Sequence, residues 1–347
     1  MSATATPAAP PLRGLRRAQA ARRRRFFALA GALLLAGVAL TLMAGQSFTP
    51  PLTVLRVLAG ADVPGAGFTV LELRLPRAVV SVLAGLCFGL GGAAFQLLLR
   101  NPLASPDIIG ISAGASAAAV FSIVVLGLSG ATVSGIAVLA ALGIAVAIWG
   151  LSWRDGVTGA RLILVGIGLA AMAQSFTAFT LSRAPSWSLQ EAMRWMTGSV
   201  NGAQLDQALP LLAALLVFGS ALLARSGDLE ALRMGDDMAA GLGLRPGRAR
   251  AGVVIAAVGL VAGATAMVGP VAFVAFLSGP IAARLTGRDG PLLVPAALIG
   301  ACLMLFGDFA GQHLLPARYP VGIVTGVLGA PYLVWLIVRT NRAGGGL

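Results

Sequence analysis

The sequence has 347 residues, of which 58% are hydrophobic and only 11% are charged, and its mean hydropathy is +0.90. This composition excludes an ordinary soluble domain. The formal net charge is +13, and all 25 basic residues are arginine. Because the sequence has no lysine, it excludes the G-x-x-x-x-G-K-[ST] phosphate loop, and its one histidine, His313, excludes a multi-histidine metal site. We therefore expect no metal and no cofactor.

The N-terminal residues 1–25 are rich in alanine, proline and arginine, which predicts a disordered basic tail. The apolar run after Arg25 begins like a secretory or twin-arginine signal. At about twenty residues it is long for a signal, and it has no clear A-x-A cleavage site. We therefore predict an uncleaved first membrane span.

Ten apolar segments are candidates for membrane spans, since a helix needs about 20 residues to cross roughly 30 Å of hydrocarbon. Glycine and proline interrupt the third and the eighth, which are the weakest. The spans lie near residues 26–45, 77–99, 108–128, 131–152, 161–182, 205–225, 249–268, 270–286, 292–311 and 320–338. We predict an all-α, polytopic membrane protein with about ten transmembrane helices in the lipid bilayer.

The arginines are distributed unevenly between the two sides that these spans define. With the N-terminus inside, the inner segments hold 19 arginines and the outer segments hold 6. This bias fits the positive-inside rule and predicts that the N-terminus and the C-terminal tail, residues 341–347, are both cytoplasmic. It also accounts for the net charge, so we expect no nucleic-acid partner.

Charged residues mark the outer end of two spans. Arg74 and Arg77 lie in the segment LRLPR at the mouth of the second span. They are either interfacial anchors or docking groups for acidic side chains of a protein partner. Asp308, near the outer end of the ninth span, either bonds to helix ends and neighbouring hydroxyls or takes part in a conformational switch.

The segment from Leu97 to Ala117, LLLRNPLASPDIIGISAGASA, joins the second and third spans. Pro102 and Pro106 lack a backbone donor, and each disfavours a helical residue before it. The pattern predicts a tight loop at a membrane face, followed by a short helix packed through small residues.

Residues 228–250 are the one long polar excursion on the predicted cytoplasmic side. Within them, residues 235–244 have acids in a first helical turn and a glycine at a C-cap position, which predicts a short helix. Met234, Met238 and Leu242 are spaced by four and form an apolar stripe. Such a helix either lies on the membrane or inserts into a groove on a partner.

These motifs closely resemble those of the FecCD family, the membrane subunits of ABC importers for ferric siderophores, haem and cobalamin. The resemblance covers roughly residues 45–340 and includes the last span's opening, YPVGIVTGVLGAP. It implies the type II ABC importer permease fold, with residues 26–340 as a single transmembrane permease domain. It also implies a multi-pass protein of the cytoplasmic (inner) membrane of a bacterium.

The resemblance further implies partners and residue roles. The partners are two copies of an ABC ATPase subunit, a substrate-binding protein, and a second permease that is another copy or a paralogue. ATP hydrolysis would belong to the ATPase, so this chain is expected to be non-catalytic. Carboxylates of the binding protein would dock on Arg74 and Arg77. The residues matching the family's coupling helix, which docks on the ATPase, are Gly235, Asp236, Met238, Ala239, Leu242 and Gly243. The candidates for the translocation pathway or its gate are Asn101, Pro102, Thr158, Arg161 and Gly322.

The sequence also departs from the family pattern at several outer positions and in the eighth span. Gly279-Pro280-Ile281 stands where P-H-I is usual, Gln312 where an arginine is common, and Arg318 where a glutamate is usual. Residues 196–202, MTGSVNG, are more typical of the ferric-siderophore branch, so an iron(III)-siderophore is the predicted substrate. The alternatives are a cobalamin or haem importer of the same family, a secondary transporter driven by an ion gradient, or a membrane-embedded enzyme.

Overall fold

The computed structural model describes residues 12–45, 47–106, 110–152, 159–287 and 290–342. All regular secondary structure within these ranges is helical. The α-helices are α1 (Leu12–Met43), α2 (Pro51–Leu58), α3 (Ala66–Phe68), α4 (Leu75–Leu98), α5 (Ile111–Val124), α6 (Ala131–Ser152), α7 (Gly159–Ser182), α8 (Ser186–Met196), α9 (Ala208–Ala214), α10 (Ser220–Ala224), α11 (Ser226–Arg233), α12 (Asp236–Gly241), α13 (Pro246–Val268), α14 (Val274–Thr286), α15 (Leu293–His313) and α16 (Val321–Arg342).

Among the described residues, ten apolar helical segments correspond to the ten predicted spans, which confirms the all-α, polytopic architecture. Seven of them are long and apolar enough to cross a membrane: Arg17–Met43, Ala66–Leu98, Ala131–Ser152, Arg161–Ser182, Leu205–Ala224, Pro246–Val268 and Leu293–His313. The third, eighth and tenth are the shorter apolar helices Ile111–Val124, Val274–Thr286 and Val321–Leu336. The third and eighth both begin after a residue in the left-handed conformation, Gly110 and Phe273, which limits their length.

The predicted disordered tail is wrong for residues 12–25. Helix α1 begins at Leu12 and continues through the arginine-rich segment into the first span. Arginine is a good helix former, and two of the arginines find partners at the other end of the chain. Arg22 donates from Nε to the Leu285 carbonyl at 2.8 Å and from Nη2 to the Arg284 carbonyl. Arg23 donates to the Pro291 carbonyl at 2.7 Å.

These contacts place the start of α1 beside the end of α14. The two ends lie on the same side of the membrane if successive spans cross it in alternating directions. The side on which α1 begins, predicted to be cytoplasmic, is called the inner side below. The C-terminal end of α14 leaves carbonyls without helical donors, and a cation there also meets the negative end of the helix dipole. An arginine side chain from the first span thus donates hydrogen bonds to the last carbonyls of the eighth span.

Helix α4 is the centre of the fold and packs against α13, α14 and α15. Glycines allow this packing to bring backbones together. A Cβ on Gly85 would lie 2.5 Å from the Gly300 carbonyl oxygen, and one on Gly300 would lie 2.2 Å from the Gly85 carbonyl oxygen. A Cβ on Gly92 would lie 2.0 Å from the Ala275 carbonyl oxygen. Close approach at small residues is the usual basis of helix association in lipid.

Candidate functional site

The inner-side segment between α10 and α13 contains the short helix that the sequence predicts. Helix α12 begins after Gly235, whose φ is +121°, and has Asp236 and Asp237 in its first turn. The chain leaves the helix through Gly243, whose φ is +86°. Both angles lie in the left-handed region that glycine enters at little cost, so these two glycines set the limits of the helix.

The apolar stripe of this segment faces away from the rest of the chain. The side chains of Met234, Met238 and Leu242 are 57%, 60% and 64% exposed, whereas Ala239 is fully buried. Ala239 therefore attaches the helix to the fold and leaves the stripe uncovered. Three large apolar groups exposed together on a polar segment are typical of an interaction surface. ATPase docking through these residues stays a prediction.

The loop between α4 and α5 is joined to this segment through Arg100. Arg100 donates from Nε to the Leu232 carbonyl at 3.1 Å, and its Nη2 lies 3.5 Å from Asp236 Oδ1. The same carboxylate oxygen accepts from Arg250 Nη2 at 2.7 Å. Arg100 has a φ of +51°, an uncommon value for a residue with a Cβ. Such strain is tolerated where neighbouring contacts fix the residue, as they do here.

The predicted pathway residues are divided between the two sides of the chain. Asn101 shapes the inner loop, because its Oδ1 accepts from the Leu103 amide at 2.8 Å, and Pro102 lies in the same turn. Arg161 lies near the start of α7, at the inner side. Gly322 lies at the opposite side, where its amide donates to the Gly198 carbonyl at 3.1 Å. Thr158 lies outside the described residues.

A groove of about 570 Å³ runs between α5, α7, α14 and α16. Its lining is mostly apolar and includes four hydroxyl-bearing side chains. Among the lining residues are Ser105, Ser112, Ser116, Thr177, Phe273, Phe276 and Leu333. The hydroxyls of Ser116 and Thr177 donate to carbonyls one turn earlier, at 2.8 and 2.9 Å, so they are already paired. The four described pathway candidates are not part of this lining, and their assignment to the pathway stays a prediction.

Ser105 connects this groove to the inner surface. It belongs to the loop that Arg100 fixes, is 2% exposed, and contributes to the groove wall. A displacement of α12 would reach Asp236, then Arg100, and then the loop that carries Ser105. The exposed stripe and the groove are thus linked through the contact between Asp236 and Arg100 and through the chain from Arg100 to Ser105.

At the outer side, Arg77 and Asp308 form a bidentate ion pair that was not predicted from the sequence. Arg77 Nε donates to Asp308 Oδ2 at 2.5 Å, and Nη2 donates to Oδ1 at 2.7 Å. Their side chains are 17% and 4% exposed. The partner that the structure gives Asp308 is a guanidinium, and not the helix end or hydroxyl of the first alternative, while the conformational switch stays a prediction. The pair joins α4 to α15 at their outer ends, and Asn201 accepts from Arg77 at 3.4 Å.

Arg74 is buried, with 7% of its surface exposed. Its Nη1 donates to the Leu42 carbonyl at 2.8 Å and to Thr49 Oγ1 at 3.1 Å, and its Nη2 donates to the Ser47 carbonyl at 2.8 Å. The guanidinium therefore completes the outer end of α1, where carbonyls lack helical donors. The docking of a binding protein on Arg74 and Arg77 stays a prediction, but each side chain also has hydrogen-bond partners within the chain.

Comparison with known proteins decides the family. Residues 33–339 match the model of the FecCD transport family. The chain belongs to the FecCD transport family. The ferric enterobactin transport system permease protein FepG of Escherichia coli (strain K12) is 36% identical, over 83% of this chain and 88% of that protein. The achromobactin transport system permease protein CbrC of Dickeya dadantii (strain 3937) is also 36% identical, over 90% of this chain and 91% of that protein.

The architecture of this FecCD permease also matches a solved structure. A metal-chelate type ABC transporter in an inward-facing conformation superposes with a TM-score of 0.82, over 91% of this chain and 99% of that one. At 24% identity, this likeness shows the fold. The predicted type II ABC importer permease fold is thereby confirmed.

Proposed function

We propose that this FecCD-family chain is the non-catalytic permease subunit of an ABC importer that carries an iron(III)-siderophore complex across the cytoplasmic membrane. The observation that carries the proposal is the connection between an exposed inner stripe and a groove within the spans. A transport subunit powered by another protein needs a surface that binds that protein and a passage for the substrate. The names of FepG and CbrC, which refer to ferric enterobactin and achromobactin, favour a siderophore.

The coupling step follows from the contacts of α12. Movement of an ATPase bound to Met238 and Leu242 would displace the helix and its Asp236. The displaced carboxylate would pull on Arg100, which is also bonded to the Leu232 carbonyl of α11. The loop from Asn101 to Ser105 would then change the inner end of the groove. In this mechanism ATP hydrolysis occurs in the partner subunit.

The groove supplies one wall of a passage. A second permease, either another copy or a paralogue, would supply the facing wall. Each wall would offer hydroxyl groups already bonded to their own helices and aromatic rings, a lining that lets an intact chelate pass without being held tightly. The volume of about 570 Å³ lies in the range of pockets that hold small organic molecules.

The energy source can be tested by reconstitution. The isolated chain in liposomes is expected neither to hydrolyse ATP nor to accumulate a ferric siderophore under an imposed proton gradient. Adding a cognate ATPase and a loaded binding protein, with a paralogous permease if the pair is heteromeric, is expected to give ATP-dependent uptake. Uptake is measured with radioactive iron in the chelate.

Two other outcomes of that experiment would contradict the proposal, the first in its energy source and the second in its substrate. Accumulation by the chain alone under the gradient would replace the importer by a secondary transporter. ATP-dependent uptake of cobalamin or haem, without uptake of any iron chelate, would keep the importer and change its substrate.

Docking at the outer side can be tested without leaving an unpaired charge at this position. In the double variant Arg77→Gln/Asp308→Asn, two neutral amide groups replace the two charges, so neither partner is left as an isolated charge. If Arg77 receives carboxylates of the binding protein, affinity for it is expected to fall roughly tenfold. The measurement is binding to the complex in nanodiscs at low and high salt.

Arg183→Gln is the matched control for this experiment. Arg183 directly follows α7, and its guanidinium stacks over the Phe179 ring at 4.5 Å. Its loss is expected to leave docking unchanged. An unaltered affinity in the double variant would restrict Arg77 to the internal ion pair.

A further inference from the structure

The eighth span contains a break in its backbone hydrogen bonding. Helix α14 has a proline, Pro280, inside it. Proline has no N–H, so the carbonyl four residues earlier, that of Phe276, receives no helical hydrogen bond at this point. A buried carbonyl in a membrane span has no water to replace the missing donor and needs another protein group.

Gln96, near the inner end of α4, supplies that donor. Its Nε2 donates to the Phe276 carbonyl at 2.8 Å across 180 residues of sequence, and the side chain is 7% exposed. Gly279 makes room for it, because a Cβ there would lie 1.9 Å from Gln96 Oε1. The absence of a side chain at Gly279, next to the proline, thus leaves the space that the Gln96 side chain of the facing helix occupies.

The carbonyl that Gln96 holds belongs to a segment facing the groove. Phe276 lines the groove together with Phe273, and the two rings meet edge to face at 6.0 Å. Phe273 has a φ of +66°, a strained value for an aromatic residue. Its ring lies against α16, where a Cβ on Gly329 would be 2.4 Å from Phe273 Cγ.

We infer that Gln96 is a positioning residue for translocation. By holding the Phe276 carbonyl, it fixes the broken turn of α14 and with it the two aromatic rings that line the groove beside α16. Gln96 is not part of the groove lining given by the described residues, so it acts on the passing chelate through Phe276 and Phe273. The inference rests on the proposed function.

A double-mutant cycle tests this role in the complete importer, in proteoliposomes. Gln96→Met removes the donor at similar volume and is expected to lower the maximal rate of ferric siderophore uptake roughly tenfold. Pro280→Ala restores an N–H at position 280, so the Phe276 carbonyl regains a helical partner. That variant alone is expected to stay within about twofold of the parent, and Gln96→Met/Pro280→Ala is expected to recover most of the lost rate.

Two further readouts separate positioning from general stability. The concentration of loaded binding protein that gives half-maximal uptake is expected to be unchanged in all variants, because the outer side is not altered. In a background without Cys87 and Cys302, a fluorophore on Leu333→Cys reports the groove directly. Its emission is expected to shift in Gln96→Met and to return in the double variant.

The outcomes are decisive in each case. A folded Gln96→Met complex with the parent's uptake rate and emission would overturn the inference, and so would an assembled double variant without recovery. If Gln96→Met alone fails to assemble, assembly and uptake of the double variant decide the question. Failure of the parent complex to take up any chelate would contradict the proposed function, while the emission change would still report on Gln96.

Discussion

Gly85→Leu is expected to prevent the chain from folding. A Cβ at this position would lie 2.5 Å from the Gly300 carbonyl oxygen and 2.6 Å from Ala301 Cα. Both are backbone atoms, which no rotamer change can move aside. Overpacking a core against side chains costs about 1–3 kcal/mol, and separating two backbones in contact costs more. The expected result is loss of the monodisperse peak in size-exclusion chromatography of the detergent-extracted protein.

Gly143→Leu is the control for that variant. Gly143 lies on α6, and a Cβ there would meet nothing within 4 Å. The two substitutions add the same side chain to glycines in membrane helices, so only the surroundings differ. Gly85→Ala is expected to give an intermediate yield. A normal yield of folded Gly85→Leu would show that α4 and α15 do not approach as closely as described.

Leu242→Asp is expected to separate this chain from its ATPase without unfolding it. The side chain is 64% exposed, so an aspartate there is solvated in the free chain. In the proposed complex the same carboxylate would be buried without a partner, which costs several kcal/mol. The ATPase is expected to be lost during co-purification, or substrate-stimulated hydrolysis to disappear.

Leu314→Asp provides the comparison at the opposite side of the membrane. Leu314 follows α15 directly and is 71% exposed, so the chemical change and the solvent exposure are similar. Its complex is expected to retain the ATPase. Normal assembly and normal uptake in Leu242→Asp would return α12 to the alternative of a helix lying on the membrane surface.

The sequence was sufficient for the spans because hydrophobic length is a local property. The third and eighth spans were recognised as weak from their glycine and proline content, and both are short helices that begin after a left-handed residue. The helical state of residues 12–25 was missed for a non-local reason. Arg22 and Arg23 bind carbonyls near residue 290, and nothing in the N-terminal composition indicates that.

The candidate site also combines features that neighbouring residues encode with features that join distant parts of the chain. Helix α12 could be predicted because its two glycines, its acids and its stripe lie within ten residues of one another. The pairing of Arg77 with Asp308 spans 231 residues and was not predicted. One signal was available: a carboxylate inside a span needs a partner, and Arg77 was predicted at the same membrane depth. For the groove no local signal existed, since its walls come from α5, α7, α14 and α16.

The contacts of Arg22 and Arg23 also have a consequence for biosynthesis. Their acceptors, Leu285 and Pro291, follow them in the chain by 263 and 268 residues. At roughly 5–20 residues per second, the ribosome reaches those acceptors about 13–50 s after it has made α1. During that interval the first helix can contact α2 and α4, but it lacks its contacts with α14 and α15. A C-terminal truncation or a stalled ribosome would leave it in that state, as a substrate for membrane proteases.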